Sequence, residues 1–284
     1  MNVVETHGLR MRYGPVDVLC GVDIHLARGE VLALLGPNGA GKTTTVEILA
    51  GFRKRTGGDV TVLGADPGSG NEKWRARLGI VLQSWRDHGK WRVGELLGHI
   101  ARYYTPYGTP YAVGDLLDLI GLTGQAKTPI ALLSGGQRRR LDVAIGLVGR
   151  PELLFLDEPT VGFDPEARQD FHELVRRLDT TILLTTHDLA EAGKLADRIM
   201  ILAGGGIAAS GTAAELAAQI SGKSEVRYRR GDRSYADSVD DATDHVRNLF
   251  SEYDKEIQDL EVRRVSLEDV YLSMVRQFES GVSA

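Results

Sequence analysis

The feature that most limits the folds open to this chain is the octapeptide GPNGAGKT, Gly36 to Thr43. It stands between the unbroken apolar run VLALL and the helix-patterned KTTTVEILAGF. The spacing fits G-x-x-x-x-G-K-[ST] in the strand–loop–helix setting that gives the pattern its meaning. Glycines let successive backbone N–H groups close around phosphate oxygens, and the N-terminus of the following helix adds a favourable dipole. In such a loop Lys42 reaches the β- and γ-phosphates of a nucleotide, and the Thr43 hydroxyl binds Mg²⁺.

LLFLDEP supplies a second half for that site. Four apolar residues predict a buried parallel strand, and ligands bind at the carboxyl ends of strands in open α/β sheets. Asp157 is then placed to hold the Mg²⁺ shell, and Glu158 to polarise the water that attacks the γ-phosphate. Two solvated acids ending a strand are the plainer reading when LLFLDEP is taken without the glycine loop. His187 closes the apolar run TILLTTH and Gln83 closes LGIVLQ, so both are expected at the same sheet edge. A histidine there is commonly structural; proximity to the γ-phosphate position favours function. Gln83 would offer an amide to Mg²⁺ or to the attacking water.

The rest of the chain alternates strand and helix signals. LLFLDE, TILLTTH and RIMILAGG read as strands separated by helical PEARQDFHELVRRL and DLAEAGKLA, which predicts a parallel sheet covered on both faces. Earlier, VVETHGLRMRYG and VLCGVDIHLARGE alternate apolar and polar residues as an antiparallel layer does. VGELLGHIARYY and VGDLLDLIGL carry helical periodicity, so a helical subdomain is expected over about 88–150. The predicted class is α/β: a P-loop core with a parallel sheet, an antiparallel β-subdomain, an inserted helical subdomain and a small C-terminal α+β appendage. SGKSE near Ser221 marks a boundary between a 1–220 nucleotide-binding domain and a 221–284 accessory subdomain reading strand, turn, strand, helix, strand, helix.

Composition narrows the function classes. A net charge of −5 offers no basic excess for nucleic acid. The single cysteine, Cys20, forms no intrachain disulfide and fits a reducing compartment. No apolar run approaches the ~20 residues that span a bilayer, and the N-terminus lacks the apolar core of a signal peptide. Any membrane role must come through a partner.

LLSGGQRRRL, Leu132 to Leu141, poses a question: why a second glycine-rich helix start, without a lysine? Ser134 is a good N-cap, and Gln137 stands at capping-box spacing. Gly135 and Gly136 are poor first helical residues, each costing about 1 kcal/mol relative to alanine. They make sense where something approaches the backbone closely, and a bare helix N-terminus is an anion site. Since the chain's own phosphate is already claimed by Gly36–Thr43, this end is offered to the nucleotide of another subunit.

Together these motifs resemble the ATP-binding-cassette family, the ATPase subunits of ABC transporters, over about residues 3–220. In that family two cassettes pack head to tail with each ATP between one P-loop and the other subunit's signature. The resemblance implies that Tyr13 stacks on adenine and that Gly36, Pro37, Asn38, Gly39, Ala40, Gly41, Lys42, Thr43 and Thr44 wrap the phosphates. It implies that Thr43, Gln83 and Asp157 hold Mg²⁺, and that Glu158, His187, Gln83 and Lys42 form the catalytic set. Ser134, Gly135, Gly136 and Gln137 would cap the γ-phosphate opposite, with Asp164 as the D-loop aspartate. It further implies a second copy or a homologous cassette as dimer partner, a separate transmembrane permease, no nucleic-acid partner, and a place on the cytoplasmic face of the membrane. The tail LEVRRVSLEDVYLSMV is similar to that of daunorubicin-resistance exporters, which implies export of a drug-like, lipid or polymer substrate.

Two departures stand out. Phe163 occupies the D-loop position usually held by leucine, which is expected to alter packing across the dimer. The segment after Gln83 is aromatic and charged, and all three tryptophans, Trp74, Trp85 and Trp91, fall near it. Core packing and a docking surface for the permease both explain them, and the family's docking region favours the latter for Trp85 and Trp91. Arg138–Arg140 reads as a solvated helix face. A Ras-like GTPase is excluded by the lack of an Asn-Lys-x-Asp motif. Repair cassettes insert a long coiled coil and translation cassettes come in pairs, and neither matches this chain.

Overall fold

The computed structural model describes residues 1–82, 89–218, 224–231, 233–253, 256–264 and Tyr271. The chain runs β1 (Asn2–Tyr13), β2 (Val16–Ala27), β3 (Val31–Leu35), α1 (Lys42–Leu49), β4 (Gly57–Val62), α2 (Glu72–Arg75) and β5 (Leu78–Val81). The helices α3 (Val93–Tyr104), α4 (Val113–Leu119) and α5 (Gly135–Leu147) follow. Then come β6 (Leu153–Asp157), α6 (Pro165–Arg176), β7 (Thr181–Thr186), α7 (Leu189–Leu195), β8 (Arg198–Ala203), β9 (Gly206–Gly211) and α8 (Ala213–Ala218). The tail adds β10 (Ser224–Arg230), β11 (Arg233–Val239), α9 (Ala242–Tyr253) and β12 (Ile257–Arg264).

A six-stranded sheet in the order β5-β6-β7-β3-β8-β9 forms the centre, parallel except for β9. Its apolar runs are unbroken because each face has its own core. Ala33, Leu35, Leu154, Leu156, Ile182 and Leu184 point into one cluster, shared with α3 to α7. Leu32, Leu34, Leu153, Phe155 and Leu183 point into the other, shared with α1 and the antiparallel sheet β2-β1-β4. Side chains of a strand alternate in direction, so burying both faces demands hydrophobicity at every position.

The expected layers are present among the described residues; the last helix expected in the tail lies outside them apart from Tyr271. Two elements escaped the sequence reading. Strand β9, GIAASG, is built of residues with weak strand preference and exists through its antiparallel pairing with β8. Helix α2 is one turn long, below the length at which periodicity is readable. In the tail, β11-β10-β12 forms a separate antiparallel sheet around Val226, Tyr228 and Leu249. Tyr271 is buried among the residues of the first core, not this one.

Register decides the site. Leu35 pairs with Thr186 and Asp157 with Thr185, so the carboxyl ends of β6, β7 and β3 lie side by side. The loops after them carry Glu158, His187 and the GPNGAGKT loop.

Candidate functional site

The glycine loop closes as its sequence predicts. A Cβ on Gly36 would lie 2.4 Å from the Leu202 carbonyl oxygen, so only glycine fits there. Gly41, which precedes α1, adopts φ 103, a conformation open to glycine at no steric cost. Lys42 folds back across the loop: its Nζ donates to the carbonyls of Gly36 (2.8 Å) and Pro37 (3.0 Å) and pairs with Glu158 Oε1 at 3.1 Å. Thr43 Oγ1 donates to Asp157 Oδ2 at 3.0 Å. His187 Nδ1 meets Glu158 Oε2 at 2.7 Å. Asn38, Gly39, Gly41, Lys42, Thr43, Thr44, Glu158 and His187 line one cavity of about 450 Å³ together with Val18 and Val161. Pro37 and Ala40 sit in the same loop, the Ala40 N–H donating to the Pro37 carbonyl at 3.3 Å.

Asp157 and Glu158 are not the solvated strand end of the plainer reading: they are 2% and 8% exposed. Glu158 adopts φ 46, a left-handed backbone that costs a non-glycine residue about 1 kcal/mol or more. Thr185, unflagged in the sequence, bridges the pair. Its hydroxyl donates to Asp157 Oδ1 at 2.5 Å and accepts from the Glu158 N–H at 3.0 Å.

Tyr13 is partly exposed, its hydroxyl 3.5 Å from Thr44 Oγ1. The guanidinium of Arg53, braced by Glu47 at 2.5 Å, lies 5.0 Å over its ring. Gln83 and Trp85 lie outside the described residues. Trp74 is core: it is 5% exposed, and its indole N–H donates to the Val62 carbonyl. Trp91 is 36% exposed and leans on His99, which meets Tyr103 edge-on.

The signature residues line a different cavity, of about 630 Å³, with Gly135, Gly136, Asp164 and Phe163 among its walls. Ser134 and Gln137 form the expected capping box, each accepting the other's backbone N–H at 3.2 and 3.1 Å respectively. Capping accounts for those two residues but not for Gly135, where an added Cβ would meet nothing within 4 Å. Nothing inside the described chain requires a glycine there. Asp164 caps α6, accepting from the Ala167 N–H at 2.8 Å. Phe163 turns inward and meets Phe171 edge-on at 5.9 Å, so the chain's own core takes up part of the extra bulk.

One expectation is overturned. The Arg138–Arg140 run is not a solvated face, because Arg139 is only 7% exposed. Its guanidinium donates to the carbonyls of Pro159 (2.9 Å), Asp157 (3.0 Å) and Leu82 (2.5 Å). Burial pulls its pKa down while Asp142, Asp157 and Glu191 oppose this. Arg138 pairs with Asp142 at 3.4 Å and Arg140 with Asp170 at 2.8 Å.

A loop of backbone amides, a lysine, a hydroxyl and two carboxylates at the carboxyl edge of a parallel sheet define a P-loop nucleotide-binding protein. Residues 19–161 match the family model described as ABC transporter, and the chain belongs to that family as an ATP-binding subunit and an ATPase. It is 39% identical over 227 residues to the daunorubicin resistance ATP-binding protein DrrA3 of Streptomyces coeruleorubidus, covering 78% of this chain and 72% of that one. It is 37% identical over 224 residues to the Fe(3+) ions import ATP-binding protein FbpC of Streptomyces coelicolor, covering 76% and 63%. A solved ATP-binding subunit of an ABC transporter superposes with a TM-score of 0.67 at 28% identity, over 76% of this chain and 92% of that one. Among the described residues no helix is long and apolar enough to cross a membrane.

Proposed function

We propose that this ATPase drives export of a drug-like, lipid or polymer substrate through a separate permease, by closing head to tail on ATP with a second cassette. The observation that carries the shared-site part is the separation of two phosphate-directed features into two cavities. Asn38, Gly39 and Gly41–Thr44 of the glycine loop line one with Glu158 and His187; Ser134–Gln137 begin a helix at the other, where Gly135 faces open space. A helix end kept bare toward solvent suits the nucleotide of another copy.

We assign the roles in and around the first cavity from the motifs and their geometry. Backbone amides of the loop and the Lys42 ammonium bind the phosphates, and Tyr13 stacks on the base. The Thr43 hydroxyl and the Asp157 carboxylate converge as an oxygen-only donor pair, and the family resemblance adds Gln83, outside the described residues, as a third contributor. That sparse set fits Mg²⁺, which keeps waters and phosphate oxygens in its shell. Among the described residues no group of three or more His, Cys, Asp or Glu is gathered to hold a metal by side chains alone. When bound, Mg²⁺ neutralises phosphate charge. Glu158 takes hydrogen-bonding partnership with the attacking water, and His187 orients Glu158 through the 2.7 Å contact. Ser134, Gly136 and Gln137 meet the γ-phosphate from the opposite subunit, with Asp164 beside them.

Export is supported by the tail LEVRRVSLEDVYLSMV and by a relative named for daunorubicin resistance; the relative named for iron import is the counterweight. Trp91, with His99 and Tyr103, forms part of the surface that receives the permease on the cytoplasmic face. We also place the domain boundary at 220/221, since the two sides build separate cores, with Tyr271 reaching back to the first.

The test is reconstitution with its permease in inside-out vesicles. An exporter accumulates substrate in the lumen on addition of MgATP; uptake only into right-side-out vesicles identifies an importer. An ATP-dependent dimer of Glu158→Gln on size exclusion tests the shared site.

A further inference from the structure

Arg139 is a buried cation that the site described so far leaves without a task. Its guanidinium donates to the carbonyl of Asp157 with Nη2 and to that of Pro159 with Nε, at 3.0 and 2.9 Å. Those two carbonyls flank Glu158, whose φ of 46 is the left-handed turn that aims its carboxylate at Lys42 and His187. A third N–H, on Nη1, holds the carbonyl of Leu82 at 2.5 Å, where β5 ends. From the other side the Glu191 carboxylate accepts from Thr160 Oγ1 at 2.6 Å, so the turn is gripped at both ends. Strained backbone persists only where its surroundings over-determine it. A planar guanidinium, with five N–H donors in a fixed fork, spans two carbonyls that a point-charge ammonium does not.

We infer that Arg139 is a positioning residue for Glu158: its guanidinium straddles the residue and holds the left-handed turn that sets the carboxylate. It touches neither phosphate nor water in this role. The inference rests on the reading of Glu158 as the group that polarises water. It carries a consequence for the dimer. Arg139 sits in the second turn of α5, the helix whose first residues are Ser134 to Gln137. The helix offered to the partner's nucleotide therefore also steadies this chain's own glutamate.

The test uses the full chain with Arg139→Lys, which keeps the charge without the fork, and Arg139→Gln, which removes both. ATP affinity, kcat, and ATP-dependent dimer on size exclusion are measured for each, alone and combined with Glu158→Gln. Both single variants are expected to bind ATP within about twofold of wild type, because the glycine loop is untouched. Turnover should fall about 10- to 100-fold, the scale of a catalytic group misplaced by about 1 Å. Slow turnover with intact binding should accumulate the ATP-dependent dimer, which a merely structural defect does not produce. Adding either variant to Glu158→Gln should cost nothing further. Wild-type turnover in Arg139→Lys and Arg139→Gln, or losses that multiply with Glu158→Gln, overturns the proposal. So does loss of ATP binding in step with turnover in both, which marks a structural bolt. If Glu158→Gln itself turns over normally, the parent reading fails and takes this one with it. If Glu158→Gln is dead while both Arg139 variants are active, only this one fails.

Discussion

Lys42 Nζ and Glu158 Oε1 are ion-paired at 3.1 Å, with both side chains under one-tenth exposed. The cation proposed for phosphate is thus held by the carboxylate proposed for water. A buried pair is strongly coupled, since removing one partner strands the other's charge. Phosphate entering the loop competes with Glu158 for Lys42 and, on displacing it, frees the carboxylate. Glu158→Gln should therefore bind ATP at least as tightly as wild type while losing turnover by about 100-fold or more. Lys42→Ala should lose ATP binding itself. Equilibrium dialysis and phosphate release read the two separately, and weaker ATP binding in Glu158→Gln would contradict the competition.

Separation of the two cavities predicts complementation between chains. Lys42→Ala spoils a chain's own loop; Ser134→Arg puts a bulky cation where the partner's γ-phosphate approaches. Each homodimer lacks an intact site, but a mixed dimer contains one, built from the Lys42 of one chain and the Ser134 of the other. Occluded nucleotide should appear only on mixing. Equal trapping before and after mixing would show that Ser134 serves only as the cap it forms with Gln137.

Gly135 lends itself to a substitution that separates fold from assembly. A side chain there meets nothing within 4 Å, and an acid in the first turn of a helix is stabilising by about 0.3–1 kcal/mol. Gly135→Glu should melt at or above the wild-type temperature yet fail to form the ATP-dependent dimer, because its carboxylate faces the partner's phosphates. A lower melting temperature would mean the glycine serves the chain's own packing.

Trp91 is the tryptophan whose described exposure suits docking. Trp91→Ala should weaken co-purification with the permease while leaving basal ATPase within about twofold, interface aromatics commonly being hot spots. A large fall in thermal stability would place it in the core with Trp74, and docking would then be dropped.

His172 gives a pH signature. It is buried 3.7 Å from Glu191, and desolvation, partly offset by that carboxylate, lowers its pKa below the ordinary 6.5. Below about 6.5 the unfolded chain therefore takes up the proton first. Its contribution is complete above that value and is lost as pH falls from there through the lower value of the folded state. His172→Gln should flatten the decline in the urea midpoint on the acid side; an unchanged slope would refute the assignment.

What the sequence determined by itself was local. GPNGAGKT, LLFLDEP and SGGQ specify backbone turns, a strand end and a capped helix through spacings of a few residues, and those forms appear where the motifs stand. The alternating cores of the central sheet were legible for the same reason, as VLALL and LLFL are apolar at every position. Tertiary structure decided the rest. RRR presents three equal charges, and only the convergence of α5 with the ends of β5 and β6 buries Arg139, while Arg138 pairs with the buried Asp142 and Arg140 with the exposed Asp170. Phe163 is half-buried against Phe171 of α6, a contact that no local spacing announces. Lys42 finds Glu158, 3.1 Å away, only because β6, β7 and β3 are neighbours in the sheet. Local hydrogen bonding is encoded in short spacings, whereas burial and ion pairing depend on which distant segments the packed sheet brings together.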